Sequence, residues 1–193
     1  MDESSSTILN TDNSIASKET AINTSQNIDN INQISPFMQK HIIKSIAQNL
    51  RDIIKENIRN NQMKNIRHDL FYIKGQFSIS IEDYIKLIFN GTKMSLSTLI
   101  ISIIYIDKFI ELNSYIISLK NIHRILVASC LLSIKFNEDT IGTKYYSKIV
   151  GLNDYDLNNL ELYFYIKLQF SLYVDYDCYQ KYFDYFSNFN LDK

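Results

Sequence analysis

The stretch VASCLLSIKFNED, residues 127–139, runs apolar as far as Ile134 and then meets Lys135, with Glu138 and Asp139 close behind. Upstream it continues from NIHRIL, so the segment 121–138 carries apolar residues on nearly every side of a helix. A helix apolar all round is a buried one. At 1.5 Å per residue it spans about 27 Å, the thickness of a small domain. Other helices must surround it. Lys135 then needs either water or a paired acid, because a buried, unpaired ammonium is costly.

The neighbouring segments supply those helices. SLSTLIISIIYIDKFIEL, roughly 95–112, is also apolar on most sides. Before it, Ser80 is placed to cap a helix IEDYIKLIF with Glu82 and Asp83 in its first turn, and Asn90-Gly91 reads as its end. After the central segment, a short helix around Tyr145–Val150 stops at Gly151. Asn153 then caps a helix that runs to about Phe170, with Leu152 and Leu157 at the positions of a hydrophobic staple. DYDCYQKYFDYF, 175–186, makes a last aromatic helix. At the other end, Pro36 opens an amphipathic helix to about residue 62, with Ile42, Ile43, Ile46, Leu50, Ile53 and Ile54 on one stripe. Residues 63–79 read as a linker packed on the domain. Residues 1–35, rich in Ser, Thr and Asn with no apolar period, read as a disordered polar tail. The expected fold is all-α.

Composition agrees. Only four glycines and one proline occur in 193 residues, too few turn signals for a sandwich or barrel. A net charge of −1 with no basic excess argues against a nucleic-acid partner. The longest apolar run, LIISIIYI (99–106), is too short to span a bilayer, and the polar N-terminus is no signal peptide. Two cysteines, Cys130 and Cys178, fit a reduced intracellular chain. His41, His68 and His123 lie in separate segments without metal spacing, and no phosphate loop or nucleophile motif occurs. Nothing in this makes a catalytic centre, and no cofactor or metal is implied.

Three charges interrupt the apolar runs: Asp107, Lys135 and Glu161. Each has a bland reading. Asp107 pairs internally or caps a neighbour; Lys135 lays its stem on apolar surface with its head in water; Glu161 faces solvent. Lys135 and Glu161 also have a functional reading.

Together the segments resemble a cyclin, of the short P-type with one cyclin box, over about 70–174. SISIEDYIKLIF resembles the box's opening helix, LIISIIYIDKF the second with its Y-[IL]-D-[RK] motif, and HRILVASCLLSIKFNED the third with its K-[FY]-x-[DE]-[DE] ending. YYSKIVGLNDYDLNNLELYFYIKLQFSLYV matches a P-type pattern. The resemblance implies a five-helix box over 80–174, flanked by the N-terminal helix and a C-terminal helix and tail over 175–193. It implies that Lys135 and Glu161 pair at the edge that hydrogen-bonds a cyclin-dependent kinase. Phe136 and Glu138 would sit beside Lys135. Tyr165, Phe170 and Leu172 would offer apolar contacts to the kinase's regulatory helix, and Asp107 would fill a structural position. The implied role is a non-enzymatic regulatory subunit in the nucleus or cytoplasm. The alternative is a cyclin-box adaptor that binds proteins without activating a kinase. The opening helix lacks the M-R-x-x-L docking patch of cell-cycle cyclins, and Arg67-His68-Asp69-Leu70 fits a degradation box only as a chance match.

Overall fold

The computed structural model describes residues 35–75, 77–138 and 142–191. The expected tail over 1–35 lies, apart from Ser35, outside them. Residues 1–39 and 40–193 fall into two compact units. Of the first, only Ser35 and the helical start Pro36–Gln39 are described, with the Ser35 Oγ accepting from the Met38 amide. Among the described residues there are seven α-helices and no strand: α1 (Pro36–Arg59), α2 (Ile81–Thr92), α3 (Leu96–Asn113), α4 (Ile122–Asn137), α5 (Thr143–Val150), α6 (Asp154–Lys167) and α7 (Tyr176–Ser187). None is long and apolar enough to cross a membrane.

α3 and α4 pack against each other at the centre, as their all-round apolarity demands. Small residues let them approach closely. The Ser129 Oγ donates to the Ser102 carbonyl, and the Ser102 Oγ donates to the Leu99 carbonyl at 2.6 Å. Each buried hydroxyl thus has a partner, which removes most of its desolvation cost. α6 packs on α4 and α3, α2 on α4 and α5, α5 on α6, and α7 on α3. The apolar stripe of α1 is buried at Ile42, Ile43, Ile46, Leu50 and Ile54, with Ile53 half-buried. Farther along, the Asn57 Nδ2 donates to the Ile117 carbonyl at 3.0 Å.

The caps sit where their chemistry places them. Ser80, Ser95, Asn153 and Asp175 each accept from an amide three residues on, opening α2, α3, α6 and α7. Two ends differ from the sequence expectation. α2 runs through Asn90-Gly91 to Thr92, and the left-handed residue is Lys93. Gly91 serves packing here: a Cβ at this position would lie 2.9 Å from the Ile149 Cγ2. α6 stops at Lys167 instead of Phe170, because Gln169 and Phe170 both turn left-handed, at φ 52° and 60°.

The 63–79 segment holds more of the core than a linker suggests. It begins within a 3₁₀ turn at Gln62–Asn65. Phe71 is fully buried, edge-on to Phe109 and Phe164. Asp69 anchors it, accepting from the Phe71 amide, the Tyr115 hydroxyl at 2.9 Å and the Tyr163 hydroxyl at 3.3 Å. Arg67 donates to the Asn113 carbonyl, and Arg124 to the carbonyl of Leu70.

Candidate functional site

Lys135 lies in the last turn of α4, where a cation favours the helix dipole. Glu161 lies in the second turn of α6. The packing of α6 on α4 brings the Lys135 Nζ to 2.7 Å from the Glu161 Oε2. The lysine side chain is 37% exposed and the glutamate 17%. Lys135 is therefore not sealed in the core: its stem follows the protein surface and its ammonium reaches an acid at the edge. The pair leaves donor and acceptor capacity for a partner's backbone, because an ammonium has three donors and a carboxylate four acceptor positions.

Apolar groups stand beside it. Phe136 is 55% exposed. Tyr165 follows Glu161 by one turn on α6, so the two share a face. Phe170 lies edge-on to Tyr165 with ring centroids 4.8 Å apart and is 60% exposed. The left-handed turn at Gln169 and Phe170 presents this ring to solvent, and such a conformation costs a non-glycine residue roughly 1–2 kcal/mol.

Two of the residues implied by the resemblance, Leu172 and Glu138, take different surroundings, while Asp107 pairs internally as expected. Leu172 is buried, and its carbonyl accepts from the Tyr105 hydroxyl at 2.8 Å. Glu138 turns back: its Oε1 accepts from the amide of Ser95 at 2.7 Å, tying the end of α4 to the start of α3. This places its negative charge at a helix N-terminus. Asp107 is half-buried and its Oδ2 accepts from the Tyr182 hydroxyl of α7 at 2.8 Å. Burial raises the Asp107 pKa above the usual carboxylate value, against the lowering effect of that hydrogen bond. Burial and the Asp107 charge raise the Tyr182 pKa in turn.

Further exposed apolar residues were not picked out from sequence. Leu162 and Ile166 lie exposed on α6. The apolarity of LELYFYI on both sides of the helix is their signal. Nothing local identified Ser95 as the partner of Glu138. Among the described residues no three His, Cys, Asp or Glu side chains cluster to hold a metal.

Comparison with known proteins agrees with this architecture. The cyclin family model matches residues 2–172. Cyclin-U2-1 of Arabidopsis thaliana is 36% identical over 106 residues, which cover 54% of this chain and 48% of that protein. Cyclin-U4-1 of the same plant is 28% identical over 160 residues, 78% of this chain and 77% of its own length. Cyclin-P3-1 of Oryza sativa subsp. japonica is 27% identical over 105 residues, 54% of this chain and 44% of that protein. The chain thus spans about half the length of Cyclin-U2-1. These relatives carry U-type names more often than P-type ones. With a helical box built round two buried helices and a family match over most of its length, the chain belongs to the cyclin family, whose members are regulatory subunits and not themselves enzymes.

Proposed function

We propose that this chain is a short single-box cyclin, of the kind its U- and P-type relatives represent, that binds and activates a cyclin-dependent kinase inside the cell. The reading rests on one observation: the Lys135–Glu161 pair at 2.7 Å, at an edge flanked by exposed Phe136 and Phe170. Such a kinase needs its catalytic Lys–Glu pair assembled, which depends on the position of its regulatory helix. A rigid surface that fits only the inward helix shifts the kinase toward that state by its differential affinity. Lys135 and Glu161 orient the helix through hydrogen bonds. Phe136, Tyr165 and Phe170 supply apolar burial. Leu172 supports the edge from below, and Glu138 holds the α4 end in place.

The test is capture of tagged chain from its own cells beside the Lys135→Glu/Glu161→Lys double variant, with circular dichroism on both. Kinase activity is assayed in the eluates. A kinase bound and active with wild type and lost with the folded variant is the expected outcome. Equal capture by both proteins would remove Lys135 and Glu161 from the contact. A kinase captured but not stimulated, or other proteins captured in its place, would mark an adaptor.

A further inference from the structure

Asp107 has an acceptor that the fold does not use. Its Oδ2 accepts a hydrogen bond from the Tyr182 hydroxyl, but among the described residues its Oδ1 receives no hydrogen bond and no cation reaches ion-pairing distance. A partly buried carboxylate without a cation carries part of the desolvation cost of its charge. The raised Asp107 pKa reflects that cost.

The carboxylate lines a groove of about 300 Å³ between α1, α3 and α7. That volume is at the lower end of the range for ligand pockets. Ile53 and Phe186 line it with apolar groups, and Tyr182 and Tyr185 with aromatic ones. Asn49 donates its Nδ2 to the Tyr185 hydroxyl at 3.0 Å, which leaves the Asn49 Oδ1 as a second acceptor. Lys181 also lines the groove, exposed and in no ion pair among the described residues.

Acceptors with aromatic walls suit a planar cation. A guanidinium offers five donors in a fork, pairs with a carboxylate through two of them, and stacks on aromatic faces. An ammonium matches only as a point charge. We propose that this groove is a binding site for the arginine side chain of a partner protein, with the guanidinium on Asp107 between Tyr182 and Tyr185. None of its lining residues belongs to the Lys135–Glu161 edge, so the proposal is independent of kinase binding.

The test is an amide chemical-shift titration of the whole chain with Nα-acetyl-arginine N-methylamide and with its citrulline counterpart, which keeps the shape and loses the charge. The arginine compound is expected to shift the Asp107, Tyr182 and Tyr185 signals saturably, and citrulline to bind at least about tenfold more weakly. Asp107→Asn keeps an acceptor for Tyr182 and should weaken arginine binding about tenfold. Lys181→Glu should tighten it, since it removes a competing cation. No saturable shift up to about 50 mM, equal binding of citrulline, or unchanged affinity in Asp107→Asn would each overturn the site. Should Asp107→Asn lose its folded spectrum, Lys181→Glu decides: unchanged arginine affinity overturns the proposal.

Discussion

Lys135 and Glu161, 26 residues apart in the chain, meet at 2.7 Å across the contact of α4 with α6. Each half is set by local chemistry, a cation at a helix C-terminus and an acid in the second turn of a capped helix. Their meeting is set by the packing between helices. Since the pair is partly exposed, it adds only about 0–1 kcal/mol to the fold. Lys135→Ala and Glu161→Ala should each move urea unfolding by less than about 1 kcal/mol, while kinase capture falls by several kcal/mol. A loss of about 3 kcal/mol in unfolding, with capture unchanged, would make the pair structural.

Gly91 tests the reassigned end of α2. In an exposed helix interior, Gly→Ala stabilises by roughly 1 kcal/mol. Here the added methyl would press on the Cγ2 of Ile149, a β-branched side chain with little rotamer freedom. Gly91→Ala should therefore destabilise by about 1–2 kcal/mol. Adding Ile149→Ala should reverse the sign, so that the double variant is more stable than Ile149→Ala alone. Thermal melts of the four proteins decide it.

Phe71→Ala should cost about 3–5 kcal/mol, as for a fully buried aromatic whose site cannot collapse. The ring fills space between Phe109, Tyr115 and Phe164, which three different segments hold in place. A chemical-denaturation loss below about 1 kcal/mol would mean that the 63–79 segment is not integral to the core.

His123 gives the chain an acid sensitivity. Its ring is buried against Phe77 and Tyr84, with Nε2 at 3.1 Å from the Ile79 carbonyl and Nδ1 without a partner among the described residues. Burial lowers its pKa, against the raising effect of the Ile79 carbonyl. The unfolded chain, with an ordinary value of about 6.5, then binds more protons below that pH, so stability falls as pH drops through 6.5. Melting temperatures at pH 7.5 and 5 should fall further for wild type than for His123→Gln. Equal falls would show that another group carries the acid response.

The helices were legible because their signals act within a few residues. Ser80, Ser95, Asn153 and Asp175 open helices with side-chain oxygens that reach an amide three positions on. The apolarity of 95–112 and of 121–138 on most sides of a helix required a buried pair, and α3 and α4 are that pair. The motif YIDKF with KFNED likewise pointed to the family before any geometry.

What only tertiary structure decided lies across longer separations. Asp69 and Tyr163 are 94 positions apart, and no local pattern marks them as partners. The same holds for Glu138 with the Ser95 amide and for Asp107 with Tyr182. Gly91 read as a helix stop because glycine favours left-handed turns. It proved to be a packing residue, because what decides a glycine's role is the side chain opposite it, and Ile149 stands there. Helix periodicity and capping are properties of one segment and can be read along it. Which acid is anchored, which is left with a free oxygen and which aromatic is sealed depend on helices packing at fixed distances, so they emerge only when the chain is folded.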